Sequence, residues 1–241
     1  MTDCVYAEAV RLDGLSLKFA ARHLRADQEV VCSAVQQKGA ALKYADPELR
    51  ADRAFLMPLL AQDGMLLEHA AAAQRADKEV VLAAITQNGL AIQYSAEDLS
   101  AHKDFMLAAV RLDGTSLAFA AHFRADKEVV TAAVWQNGFA LQYAKPSMQA
   151  DRDVVLAAVG QSGKAIRFAA EELKRDAQVV RAAIQQTGLA PGHAAMHLKI
   201  DRELAVQAVG RRGELSGAGL HLGLWVALLC LLAAAALKFD T

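Results

Sequence analysis

Seven aspartates recur at one phase of the chain: Asp27, Asp52, Asp77, Asp126, Asp151, Asp176 and Asp201. Paired carboxylates are standard equipment for general acid–base chemistry, so this column is the first candidate for a reactive site. Two residues before it runs a basic column, Arg25, Arg50, Arg75, Arg124, Lys174 and Lys199, with Ser100 and Gln149 as gaps. Such a column could grip a phosphate or an acidic peptide. A glutamine column (Gln37, Gln62, Gln87, Gln136, Gln161, Gln186) could read a substrate through its amides. An aromatic one (Phe19, Tyr44, Tyr94, Phe119, Tyr143, Phe168, with His69 and His193 interposed) could stack ligands. His193 and His197 stand four apart, a helical spacing for two metal ligands, but H-E-x-x-H is absent and a Pro-Gly pair lies just upstream. There is no G-x-S-x-G, no P-loop and no G-x-G-x-x-G. These residues therefore predict no catalytic, cofactor or metal site.

The elements that must carry these columns explain their spacing. Gly14, Gly39, Gly64, Gly89, Gly114, Gly138, Gly163, Gly188 and Gly213 recur every 25 residues with one step of 24. Thr2 and His102 fill the two slots of the aspartate column that lack the acid. The period defines eight units (2–26, 27–51, 52–76, 77–101, 102–125, 126–150, 151–175, 176–200) and a half unit ending near 214. Units one and five are nearly identical, "AVRLDGLSLKFAA" against "AVRLDGTSLAFAA", as after duplication of a four-unit block.

Within a unit, Asp reads as an N-cap, followed often by an acid two residues on, where the helix dipole favours it. Apolar residues at i, i+1, i+4 and i+5, such as Val80, Val81, Ala84 and Ile85, form one buried face of a three-turn helix. Glycine stands where a left-handed C′ residue would end that helix. A shorter second element, a single turn or partly 3₁₀, precedes a polar turn holding Pro47 or Pro146. No unit can bury its apolar face alone, but stacked units can, so the expected fold is an all-α solenoid over 2–214. As members of columns, the aspartates are caps, the glutamines bond to adjacent backbone, the aromatics are core, and the bases pair with neighbouring N-cap aspartates. Pro58, inside "DRAFLMPLLAQDG", predicts a late start or a kink in the third long helix.

Units such as "RADKEVVLAAITQNGLAIQYSAEDL" (75–99) and "RADKEVVTAAVWQNGFALQYA" (124–144) resemble the short helical repeats of a domain-of-unknown-function family found in bacterial and protist proteins. The resemblance spans roughly residues 2 to 213. It implies a repeat fold and brings no activity and no catalytic residue. Units three and eight depart from it, through Pro58 and through "LAPGHAAMHLK".

Composition agrees with helices: apolar residues make up 54% of the chain, much of it alanine. A formal net charge of −1 supplies no global field for nucleic acid. Cys4, Cys32 and Cys230 have no C-x-x-C spacing and suit a reducing compartment. The first residues lack a basic-then-apolar run and are not expected to be a secretory signal. After a linker at 215–219, residues 220–237 read "LHLGLWVALLCLLAAAAL", apolar on all sides from Leu222 on. A solenoid cap needs a polar outer face, so a transmembrane helix is the favoured reading over a buried cap. Leu222, Leu224, Trp225, Leu228, Leu229, Leu232 and Leu237 would form it, with Arg211 and Arg212 keeping the repeats in the cytosol. The resulting expectation is a non-catalytic protein-interaction scaffold at a membrane, without cofactor, metal or nucleic acid. The alternatives are a structural subunit of a membrane complex, or a soluble cytoplasmic binding module.

Overall fold

A capping aspartate followed by a Val/Leu/Ala run produces the same helix over and over. In the computed structural model, which describes residues 8–189, 195–196 and 198–210, these long helices are Gln28–Gln37, Arg53–Gln62, Lys78–Gln87, Lys103–Leu112, Lys127–Gln136, Arg152–Gln161, Ala177–Thr187 and Arg202–Gly210. Asp27 Oδ1 accepts from Glu29 N at 2.9 Å and Val30 N at 3.1 Å, and Asp77, Asp126, Asp151, Asp176 and Asp201 cap in the same two-bond way. Asp52 accepts one such bond, from Ala54 N. His102 begins its helix without a side-chain cap bond. Each cap supplies acceptors to first-turn donors that would otherwise have none, worth typically ~1 kcal/mol per helix.

The chain then turns through one extended residue, φ near −148° at Lys38 and −145° at Asp113, into a six-residue 3₁₀ helix. These are Gly14–Phe19, Gly39–Tyr44, Gly64–His69, Gly89–Tyr94, Gly114–Phe119, Gly138–Tyr143 and Gly163–Phe168. The second element is thus 3₁₀ in all seven of these units. The polar turn expected after it is itself helical: Arg22–Arg25, Pro47–Ala51, Ala72–Arg75, Glu97–Ser100, Pro146–Gln149 and Glu171–Lys174 are single α-turns. Proline suits the first position of two of them, where its missing N–H costs nothing. The shorter fifth unit has lost this element. Residues 121–125 form a turn there instead, because the deleted residue falls in the short helix.

Units stack on their sequence neighbours. Long helix packs on long helix, as Lys127–Gln136 does on Arg152–Gln161, and 3₁₀ helix on 3₁₀ helix. The core between them repeats: Val154, Val155, Ala158 and Val159 from one long helix, Ala165 and Ile166 from the following 3₁₀ helix, all fully buried. The described residues contain helices and turns and no strand. The aromatic column differs from expectation. Tyr44, Tyr94, Phe119, Tyr143 and Phe168 are half-buried against the edge of the core, and Phe19 is 68% exposed. The sixth position of a 3₁₀ helix lies past the buried Ala and Leu or Ile, at the margin of the stack.

Pro58 also departs from expectation. Its helix runs unbroken from Arg53 to Gln62, with no late start. The ring lies on the exposed face, while Phe55, Leu56, Leu59 and Leu60 hold the helix through the opposite one. The expected anchor at 220–237, the linker, Gly213, His193 and His197 lie outside the described residues.

Candidate interaction surface

The joint between units is built from the glycine column, and for a reason other than the one its spacing suggests. Among the described glycines of the column, only Gly188 ends a long helix in a left-handed conformation, at φ 64°. Gly14, Gly39, Gly64, Gly89, Gly114, Gly138 and Gly163 open the 3₁₀ helices with ordinary backbone angles. What they need is space. A Cβ on Gly14, Gly64, Gly114, Gly138 or Gly163 would stand 2.2–2.4 Å from the carbonyl oxygen of Ala34, Ala84, Ala133, Ala158 or Ala183 in the next unit. Those alanines are themselves fully buried, so glycine meets alanine at the closest approach in the stack.

The glutamine column completes the joint. Gln87, Gln136, Gln161 and Gln186 accept through Oε1 from the backbone N–H of Gly64, Gly114, Gly138 and Gly163 at 2.6–2.8 Å. Gln136 and Gln186 also donate through Nε2 to the carbonyls of Leu112 and Gln161. At Gly89 the next unit offers Leu112 in the glutamine position, and Asp113 Oδ2 accepts instead at 3.1 Å. One column escaped the sequence reading: Asp13, Asp63, Asn88, Asp113 and Asn137 each cap the 3₁₀ helix that follows, accepting from the N–H two residues on. The Asp-Gly and Asn-Gly dipeptides were the visible signal.

The aspartate caps have partners other than those expected. Asp77, Asp126, Asp151 and Asp176 are each approached by the first helical residue of the preceding long helix. Lys103 reaches Asp126 and Glu128, both at 2.8 Å; Lys127 reaches Asp151 at 2.8 Å and Asp153 at 3.0 Å; Arg152 reaches Asp176 at 3.2 Å. Arg53 pairs likewise with Asp77 and Glu79. The ammonium of Lys103 holds the Asp126 carboxyl below its ordinary range, and these two acids push Lys103 up to about 12. Hydrogen bonds from Lys127 lower Asp151 in the same way.

The basic column is therefore left over. Its backbone is engaged: the carbonyls of Arg25, Arg50, Arg75, Arg124 and Gln149 accept from the N–H of Asp46, Ala71, Ala96, Lys145 and Ala170 in the next unit at 2.8–2.9 Å. Its side chains are less satisfied. The Nε atoms of Arg25, Arg50, Arg75 and Arg124 are buried without a hydrogen-bond partner. Arg124 donates through Nη2 to the Ala118 carbonyl, and Lys174 pairs with Glu171 at 2.7 Å. Arg25, Arg50 and Arg75 make no ion pair among the described residues. Arg25 acts electrostatically on Asp46, which already accepts from Arg22 Nε and Glu48 N, both at 3.1 Å. Those bonds lower its pKa, the one from Glu48 N most.

Cations cover aromatics of the column on the same layer, the exposed Phe19 and the half-buried Tyr44 and Phe168. Lys18 lies 4.4 Å from the Phe19 ring centroid, Lys43 4.9 Å from Tyr44, and Arg167 4.5 Å from Phe168. Between residues 14 and 187 the two layers have opposite charge. The 3₁₀ and short-helix stretches carry twelve Lys or Arg against seven Asp or Glu, whereas the long-helix stretches carry eight against thirteen. The first residues of the short helices, Arg22, Pro47, Ala72, Glu97, Pro146 and Glu171, are exposed and differ from unit to unit. On the opposite layer Trp135, 68% exposed, stands with Arg111, Thr131 and Ala132 around an open depression.

Among the described residues no three His, Cys, Asp or Glu side chains converge as a metal site, and no helix is long and apolar enough to cross a membrane. The family model for a domain of unknown function, DUF4116, matches residues 5–50, 27–71, 77–124 and 126–174. No curated protein and no solved structure matches the chain.

Proposed function

The chain belongs to the domain-of-unknown-function family DUF4116, and from that premise we propose that it is a non-catalytic protein-interaction scaffold, an α-solenoid held at a membrane by residues 220–237. The observation that carries the reading is the division of labour among the columns. The Asp and Asx side chains are consumed in capping helices and the Gly, Ala and Gln columns in joining unit to unit, while the short-helix layer varies and keeps unpaired cations. A surface that varies on a rigid repeated frame is what helical-repeat proteins offer to partners. The apolar stretch Leu222 to Leu237 supplies the anchor, and Arg211 and Arg212 place the repeats on the cytosolic side.

Membrane fractionation with alkaline extraction tests the anchor. The full chain stays in the pellet, and a version ending at Gly219 is released; release of both removes the membrane from the proposal. The small residues of "LLAAAAL" favour a second reading, a structural subunit whose tail packs against other helices. A scaffold keeps its partners without the tail, whereas a structural subunit co-purifies with them only when the tail is intact.

A further inference from the structure

We propose that Arg25, Arg50 and Arg75 form a docking track for a short, extended acidic peptide segment of a partner protein, with one carboxylate seated on each guanidinium. The inference deepens the scaffold reading and rests on it.

The three arginines occupy one phase in three consecutive units. Their backbones are locked in register by the bonds from Arg25 O to Asp46 N and from Arg50 O to Ala71 N, and the bond from Arg75 O to Ala96 N continues the line. Each of the three residues is half-buried, with Nε covered and unbonded, and none makes an ion pair among the described residues, although Arg25 lies close enough to Asp46 to act on its carboxyl. With Nε covered, the Nη groups are left to hydrogen-bond outward, and an arriving carboxylate can accept from them in charge-assisted bonds. The same condition at the same phase three times running points to one ligand with a repeating charge.

Spacing selects the class of ligand. Stacked helical elements stand about 8–10 Å apart. An extended peptide rises about 3.3 Å per residue, so every third side chain advances about 10 Å. Carboxylates at positions one, four and seven of a seven-residue segment therefore match three units, whereas one free phosphate can reach only one arginine. The track also ends. The unit after Arg75 carries Ser100 in the arginine position and Glu97 and Asp98 at the start of its short helix, directly beyond the Arg75-to-Ala96 bond. A long polyanion such as a nucleic acid would run onto those acids, but a seven-residue segment stops before them.

The test uses the detergent-solubilised full chain and two labelled seven-residue peptides in fluorescence anisotropy. Glutamates stand at positions one, four and seven of one and at three adjacent positions of the other, with Ser and Thr elsewhere. The spaced peptide should bind at least about tenfold more tightly. Arg25→Gln, Arg50→Gln and Arg75→Gln should each weaken it by about tenfold, the scale of one charge-assisted contact, while Lys103→Gln on the other layer leaves it unchanged. Ser100→Arg extends the ladder and should tighten a ten-residue peptide with a fourth spaced glutamate, a gain that a misfolded variant could not produce. Equal binding of the two peptides, indifference to the arginine substitutions, or arginine-dependent binding of an oligonucleotide or anionic vesicle in place of the peptide overturns the proposal. Native partners retained by a version ending at Gly219 while the peptide fails would remove the acidic track and leave the scaffold. Loss of both removes the scaffold as well.

Discussion

Substituting Gly138 and Gly160 with alanine should give opposite results, although both glycines lie in equivalent-looking sequence. Gly138 opens a 3₁₀ helix; its added Cβ would meet Ala158 O at 2.4 Å, Gln161 Oε1 at 3.0 Å and Ser162 Cβ at 3.2 Å. The first of these is backbone, so two units must separate rather than one side chain rotate. Separation strains the 2.7 Å bond from Gly138 N to Gln161 and opens the packing of Ala158 and Val159. Overpacking typically costs ~1–3 kcal/mol, and a buried N–H left without its acceptor costs a further ~1–3 kcal/mol. Gly138→Ala should therefore destabilise by about 2–6 kcal/mol. Gly160 lies inside the helix Arg152–Gln161 with nothing within 4 Å of its Cβ position. Gly160→Ala should stabilise, by up to about 0.5–1 kcal/mol, because alanine loses less backbone freedom in a helix.

Urea denaturation followed by circular dichroism measures both, with the slope compared to guard against a change in cooperativity. Asparagine discriminates the mechanism. At a left-handed C′ position Asn is well tolerated, so Gly188→Asn, at φ 64° in open space, should be close to neutral. Gly138→Asn should be at least as damaging as alanine, because crowding and not backbone conformation is the constraint. If Gly138→Asn proved neutral, or Gly138→Ala fell within 0.5 kcal/mol of the parent on the scale of typical surface substitutions, the close-approach account of the joint would be wrong.

Other expectations follow from the same geometry. Gln136→Leu removes the acceptor of Gly114 N–H and the donor to Leu112 O; it should cost ~1–3 kcal/mol and speed amide exchange at Gly114 ahead of global unfolding. Asp126 and Asp151 have depressed carboxyl pKa values in the fold, so their contribution is complete above the unfolded value near 4 and is lost as pH falls through the folded values. Lys103 is raised to about 12, so its contribution is complete below the unfolded value near 10.4 and is lost as pH rises through about 12. Melting temperature against pH should thus be flat between about pH 5 and 10 as far as these groups decide it, and Lys103→Gln should soften the alkaline decline. Pro58→Ala restores a helical N–H on an exposed face of Arg53–Gln62 and should stabilise by about 1–3 kcal/mol in the same melts.

The period, the helical class and the aspartate caps could be read from the chain because each rests on contacts within a few residues: Asp27 reaches only Glu29 and Val30. The joint was harder. Glycine after a helix has two physical explanations, conformation and crowding, and only the position of Ala158 O in the neighbouring unit separates them. The ion pairs illustrate the same limit. Arg25 and Asp27 stand two residues apart and read as members of one ladder, yet the acids of a helix start are met by the first helical residue of the unit before, as Asp151 is by Lys127. The Asp-Gly and Asn-Gly dipeptides carry a local signal, because the Asx oxygen accepts from the N–H two residues on, as Asp63 does from Met65. The aromatics could not be placed by phase, since a residue at the rim of a stack keeps the period of one at its centre.

Beyond Pro58 in unit three and the altered unit eight, several departures from the repeat fall at one joint, between residues 89 and 125. Unit five copies unit one, and so it arrives with Leu112 where its neighbours have glutamine. Gly89 N–H consequently turns to Asp113, and the buried Ser116 hydroxyl lies 3.5 Å from Gly89 O. His102 stands in the aspartate slot without capping its helix, Ser100 interrupts the arginine column, and the short helix is replaced by a turn. Each change alone is tolerable in a stack whose stability is a sum of unit and interface terms. Together they make this interface chemically unlike those on either side, while the core residues Phe105, Met106, Ala109 and Val110 remain fully buried across it. The stack is thus continuous in its apolar interior and divided in its polar surface. A partner that follows the polar columns, as an acidic segment on Arg25, Arg50 and Arg75 would, meets a boundary there that the core does not share.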